Sequence, residues 1–121
     1  MTSSYRHDTG AGMKKAIALL LLIFPELSGA MDGNTLLKAC TDEDHANDKA
    51  ICMGYVVAVA DALTLGIGGS KACFPNGLTY GQLVAVARKS LGERPEESRH
   101  YEAFGLVARA LVESFACTST R

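Results

Sequence analysis

The sequence lacks the features that point to a nucleic-acid partner. It has no tryptophan, and aromatic residues make up only 7% of it. Lysine and arginine number 12 against 13 aspartates and glutamates, which gives a net charge of −1, and no basic stripe is visible. Proteins that bind nucleic acid neutralise phosphates with clustered lysine and arginine. We therefore expect no nucleic acid among the partners.

The sequence also lacks the motifs of metal sites and of enzymes. Its four cysteines form no Cys-x-x-Cys pair, so no zinc site is indicated. His45 and His100 lie in charged stretches, where a solvated surface role is more common than general-base catalysis. The glycines of the segment 66–69 follow a predicted helix rather than a strand, unlike a nucleotide-binding fingerprint. Without a set of nucleophile, base and oxyanion donors, the sequence predicts no enzyme, no metal and no cofactor.

The apolar run near the N-terminus is too short for a transmembrane helix. Lys14 and Lys15 precede the apolar stretch 16–24, and the small residues Ser28 and Ala30 follow it. A bilayer span needs roughly 20 apolar residues. A basic start, a short apolar segment and a small-x-small site are instead typical of a secretory signal peptide.

This motif divides the chain into three parts. We predict a signal peptide over 13–30, cleavage after Ala30 and a single domain over 31–121. The expected localisation is the periplasm, with no membrane span after cleavage. Residues 1–12 precede the natural-looking start at Met13, and we interpret them as not native or not structured.

Apolar residues recur at helical spacing in four stretches, and none shows convincing strand alternation. The fold class predicted is therefore all-α, a compact bundle of about four helices braced by two disulfides. The first helix is expected to have its N-cap at Asn34, and the second to start within 41–49 and stop at Gly66. The third is expected to run from Thr79 to a stop at Gly92, and the fourth from Pro95 to about Cys117.

Four polar side chains are expected to have structural roles. Thr79 and Gln82 have the spacing of a capping box. Asp61 is the only acid in the apolar stretch 51–65, which predicts a helix buried on most sides, and a buried acid needs a partner. One interpretation is a catalytic or switching carboxyl group with a perturbed pKa. We favour the other, a hydrogen-bond hub tied to the loop backbone or to Tyr55.

An even number of cysteines in a short exported chain predicts disulfides. Helices joined by short loops run antiparallel, so the second helix ends near Cys73 and the fourth brings Cys117 to the same end. Cys40 and Cys52 lie near the opposite end. We predict the pairs Cys40–Cys52 and Cys73–Cys117. A Cys52–Cys73 pair is strained, because the chain from Gly66 would have to return over roughly 21 Å almost fully extended.

An ordered set of residues extends over nearly the whole predicted domain: Cys40, Cys52-Met53-Gly54-Tyr55-Val56, Asp61-Ala62, Cys73-Phe74-Pro75, Thr79, Gln82, Leu91, Pro95 and Phe115-Ala116-Cys117. In this set the chain resembles the Rap/Tai family, the periplasmic immunity proteins of type VI secretion systems. Two departures are mild: many relatives have glycine at the position of Ala58 and proline at that of Ala116.

The resemblance implies a helical, often dimeric domain that inhibits a peptidoglycan amidase effector by occluding its active-site cleft. The partners expected are therefore this effector and a second copy of the chain. An alternative from another class is a periplasmic chaperone of the small acid-stress type, or another envelope binding protein. Such chaperones expose apolar surface at low pH, and we rank this alternative lower because few carboxylates cluster on the predicted helices.

An inhibitor of a cleft enzyme needs a narrow and rigid protrusion, and the loop 66–77 is the internal stretch with these properties. The residues we expect to contact the partner are Ile67, Gly68, Gly69, Ser70 and Lys71. The alternative is that the loop only connects two helices. The exposed faces of the third and fourth helices are then the contact or dimer surface.

Export and processing can be tested on periplasmic material. The intact mass should correspond to a chain that begins at Met31, because the small residue Ala30 meets the requirement of the cleaving peptidase. Ala30→Lys should block cleavage and serves as the control. Recovery of the full-length chain from the cytoplasm would contradict the prediction.

Overall fold

The computed structural model describes residues 29–118. The predictions for residues 1–12 and for the signal peptide lie outside the described residues, apart from Gly29 and Ala30, which are both exposed. Among the described residues, no helix is long and apolar enough to cross a membrane.

Four α-helices make up the fold of residues 29–118, so the all-α prediction is confirmed. They are α1 (Gly33–Thr41), α2 (Ala46–Leu65), α3 (Tyr80–Glu93) and α4 (Ala103–Ser114), with short 3-10 turns at Ile67–Gly69 and Glu96–Ser98. Helix α2 packs against each of the other three helices. Within residues 29–118 the only strand-like pairing is an isolated bridge between Asp32 and Glu102.

The first helix starts earlier than predicted. Asp32, not Asn34, is the N-cap, because an oxygen of its carboxylate accepts the backbone N–H of Thr35 at 2.8 Å. This hydrogen bond holds the pKa of Asp32 below its usual value. The side-chain oxygen of Asn34 instead accepts from Nε of Arg99 at 2.8 Å. Both residues are good caps by type, and the contact with Arg99 decides between them.

The start of α1 is tied to the start of α4. The N–H of Gly33 donates to the carbonyl of Tyr101 at 3.1 Å, and the N–H of Ala103 donates to that of Met31 at 2.8 Å. Gly33 permits this approach, since a Cβ there would lie 2.6 Å from Cδ1 of Leu106. The chain is therefore fixed in place directly after the predicted cleavage site.

Two boundaries around the third and fourth helices were predicted wrongly. Helix α3 continues through Gly92 to Glu93, and Pro95 precedes a 3-10 turn rather than the first turn of α4. Nη1 of Arg99 donates to the carbonyl of Arg94 at 2.8 Å, and so satisfies a group that the end of α3 leaves free. The boundary thus depends on a side chain from the next connection.

Helix α2 is buried on one face only, which corrects the expectation of burial on most sides. Its buried residues are Cys52, Val56, Val59, Ala60 and Leu63, and they join a core to which all four helices contribute. Its opposite face exposes Ile51, Gly54, Ala58, Asp61 and Leu65. Glycine and alanine gain little from burial, so an apolar composition does not force this face inside.

The prediction that Asp61 is a buried hub is therefore wrong. Asp61 is exposed, and no polar or charged residue of the described range is buried. Tyr55 lies half-buried, and desolvation raises the pKa of its hydroxyl. The predicted capping box is present: the hydroxyl of Thr79 accepts the N–H of Gln82 at 3.2 Å, and Oε1 of Gln82 accepts the N–H of Thr79 at 2.8 Å.

Both predicted disulfides are confirmed. Cys40–Cys52 links α1 to α2 across 12 residues of sequence, and Cys73–Cys117 links the α2–α3 connection to the C-terminal segment across 44 residues. On the loop-entropy account they stabilise the fold by about 3 and about 4 kcal/mol respectively. These contributions are large for a domain of this size.

The different positions of Asp61 and Thr79 predict different effects of substitution. Thr79→Ala should lower the free energy of unfolding by about 1 kcal/mol, because the N–H of Gln82 loses its acceptor. Asp61→Ala should change it by less than about 0.5 kcal/mol, since the carboxylate is exposed. Urea denaturation followed by circular dichroism measures both. A loss of about 2 kcal/mol in Asp61→Ala would show that the carboxylate has a structural partner after all.

Candidate functional site

The connection from α2 to α3 begins as a folded loop. Helix α2 stops at Gly66, which has a left-handed conformation with φ of 73°. The 3-10 turn that follows contains Gly68 with φ of 81°, a conformation that favours glycine. The N–H of Gly69 donates back to the carbonyl of Gly66 at 3.3 Å. The loop backbone therefore folds on itself at the end of α2.

The second half of the connection is anchored to the body of the domain. Ala72 is buried, and its N–H donates to the carbonyl of Leu63 at 3.3 Å. The N–H of Cys73 donates to the carbonyl of Phe115 at 2.8 Å, beside the Cys73–Cys117 bridge. The ring centroids of Phe74 and Phe115 lie 5.2 Å apart. These contacts fix the end of the loop against the end of α4.

Between the two fixed ends lies an exposed segment that we call the loop tip, residues 67–71. All five residues predicted to contact a partner are exposed and lie together here. Ile67 is 58% exposed, and the neighbouring Leu65 is 75% exposed. Leu65 was not among the residues predicted from the sequence to contact a partner. The helical phase of Cys52, Val56 and Leu63, which places Leu65 on the opposite face, could have identified it.

Beside the loop tip is a groove of about 400 Å³, which the sequence analysis did not predict. Its lining includes Leu63, Ile67, Ser70, Phe104, Ala108 and Arg109. At one rim, Nε of Arg109 donates to a carboxylate oxygen of Glu113 at 3.0 Å. The lining is largely apolar and includes no paired nucleophile and base. Such a surface offers apolar area that another molecule can bury.

A polar cluster lies at the start of α2. The ligand atoms of Asp42, His45 and Asp48 all lie within 4.8 Å of one another, a donor set that a divalent cation could use. Nδ1 of His45 is 2.7 Å from a carboxylate oxygen of Asp42. Partial desolvation raises the pKa of Asp42, but the N–H of Asp44 and the His45 side chain hold it below its usual value. The cluster lies at the beginning of the helix whose other end leads into the loop tip.

Searches of curated proteins and of solved structures give no match to the chain. A family model described as Rap1a immunity proteins matches residues 32–117. The match begins at the N-cap of α1 and ends at Cys117, so it takes in all four helices and both disulfides. The chain belongs to the Rap1a immunity protein family.

Proposed function

We propose that the chain is a periplasmic immunity protein that binds a peptidoglycan amidase effector of a type VI secretion system and occludes its active site. Membership of the Rap1a immunity family is the observation that carries the proposal, because an immunity protein acts by binding an effector. The same membership favours this function over the acid-stress chaperone.

The loop tip is the proposed contact with the effector. A loop that is already ordered in the free protein loses little conformational entropy on binding. The contacts of Ala72 and Cys73 with the body of the domain supply that order on one side, and the end of α2 supplies it on the other. Ile67 and Leu65 offer apolar surface that a cleft could bury.

Export to the periplasm is part of the proposal. Two disulfides within the domain suit an oxidising compartment, and cytosolic thiols are mostly kept reduced. The predicted signal peptide, residues 13–30, supplies a route of export. A non-catalytic role is part of the same proposal, because an immunity protein acts by binding its effector.

Replacement of the loop tip tests the contact. Residues 68–70 are already glycine or serine, so a Gly/Ser stretch of equal length changes only Ile67 and Lys71. The double variant Ile67→Ser/Lys71→Ser should keep its helical circular dichroism and melting temperature. Its affinity for the amidase should fall at least tenfold, which corresponds to about 1.4 kcal/mol of binding free energy. The reason is that the loop tip no longer offers the apolar side chain of Ile67 and the charge of Lys71 to the cleft. Titration calorimetry and an amidase assay measure the two effects.

A matched control is Tyr80→Ser at the start of α3. Tyr80 is 59% exposed and Ile67 58%, so the control removes an equally accessible apolar side chain outside the loop tip. Its affinity should stay unchanged. Full inhibition by the loop-tip variant, with weakened inhibition by Tyr80→Ser, would move the contact to the exposed faces of α3 and α4.

A homodimer is the second assembly that we propose. The exposed faces of α3 and α4 offer surface for it, including Phe104 near the start of α4, which is 44% exposed. Light scattering coupled to size exclusion should give twice the mass of the processed chain, and Phe104→Ser should shift that mass towards the monomer. A monomer at the highest soluble concentration would refute the dimer and leave the amidase proposal standing.

A further inference from the structure

The two disulfides have very different surroundings. Cys40 and Cys52 are only 9% and 2% exposed, and they belong to the hydrophobic core between α1 and α2. Cys73 and Cys117 are both exposed, and they join two segments outside the helices. Thiol–disulfide exchange requires a thiolate to reach a sulfur atom of the bridge. Cys40 and Cys52 also line a surface pocket of about 250 Å³, so the fold does not seal their bridge but leaves Cys73–Cys117 the more accessible of the two.

Two noncovalent contacts hold the same two segments together without the exposed bridge, and a third anchors the α2–α3 connection to α2. The backbone hydrogen bond from Cys73 to Phe115 is 2.8 Å long, and the rings of Phe74 and Phe115 are in contact. Ala72 is also buried, with its N–H bonded to the carbonyl of Leu63. Opening the bridge thus leaves its two sulfur atoms near each other in a folded protein, which favours re-formation.

We propose that the Cys73–Cys117 bridge is a site of thiol–disulfide exchange in the folded protein, which a dithiol reduces while Cys40–Cys52 stays oxidised. The co-reactant is a small dithiol or a dithiol oxidoreductase that approaches from solvent.

The exchange has two steps. In the first, a thiolate of the dithiol attacks one sulfur, the Cys73–Cys117 bond breaks and the other cysteine leaves as a thiolate. In the second, the remaining thiol of the reductant, as a thiolate, attacks the mixed disulfide and releases the second cysteine. The protein gains two electrons and two protons, and the dithiol loses the same and becomes a disulfide.

We expect the reduced state to differ from the oxidised one mainly in the loop tip. Its end towards α3 then loses its covalent link and keeps the contacts of Ala72, Cys73 and Phe74. We expect the loop to open more often, while the core between the helices remains packed. An effect on effector binding rests on the proposed function, but the exchange itself does not.

Selective reduction can be measured on the purified, oxidised protein. Samples treated with dithiothreitol are quenched with iodoacetamide at successive times, and the labelled cysteines are mapped by mass spectrometry. Cys73 and Cys117 should be labelled at least about tenfold faster than Cys40 and Cys52, with helical circular dichroism retained. Equal rates, earlier labelling of Cys40 and Cys52, or loss of the helical signal together with the first bridge would overturn the proposal.

Limited trypsin digestion measures how readily the loop tip opens, and it needs no partner protein. The tip contains one trypsin site, after Lys71. Cleavage there should be at least about threefold faster in the reduced, alkylated protein than in the oxidised protein, because local opening precedes cleavage. The variant Cys73→Ser/Cys117→Ser should match the reduced protein, and Lys71→Gln should abolish the cut in both. An unchanged rate in the reduced protein would show that the bridge does not restrain the loop tip.

Discussion

The common direction of α2 and α4 is the constraint on which the rest of the structure depends. Leu63, near the end of α2, lines the same groove as Ala108 in α4, and the ends of both helices lead towards Cys73. Because the two helices finish at one end of the bundle, the α2–α3 connection meets the C-terminal segment there. The Cys73–Cys117 bridge, the contact of Phe74 with Phe115 and the groove beside the loop tip all follow from this arrangement.

The helix order and both disulfides could be predicted because they depend on local signals and chain lengths. Thr79 and Gln82 form a capping box wherever a helix starts between them. A helix rises about 1.5 Å per residue, which made the pairing of Cys52 with Cys73 costly and left Cys73 to pair with Cys117. Capping hydrogen bonds and chain lengths do not depend on tertiary packing. The structure therefore agrees with the predictions that were based on them.

The wrong predictions share a different cause. Asp32 and Asn34 are both suitable caps, and only the contact with Arg99 removes Asn34 from that role. The burial of Asp61 was inferred from apolar neighbours, several of which are glycine or alanine and lie on the exposed face of α2. The groove depends on α4, which is distant in sequence from the loop tip. For the cap and the groove the deciding partner lies elsewhere in the chain, where spacing gives no signal, whereas the helical phase of α2 does place Asp61 on the exposed face.

The exposure of the longer-range bridge has a physical rationale. Closing a long loop restricts the unfolded chain more than closing a short one, so Cys73–Cys117 is the more stabilising bridge on entropic grounds. A bridge in the core would also constrain how the side chains around it pack. A bridge between surface segments does not constrain the packing of buried side chains such as Leu63, Leu91 and Leu111. The bridge stabilises the fold mainly by restricting the unfolded chain, so its contribution does not require a position in the core. The bridge can therefore lie beside the loop tip and restrain it. The two cysteines whose bridge limits the freedom of the loop are exposed residues, which joins the order of the loop to the redox state of its surroundings.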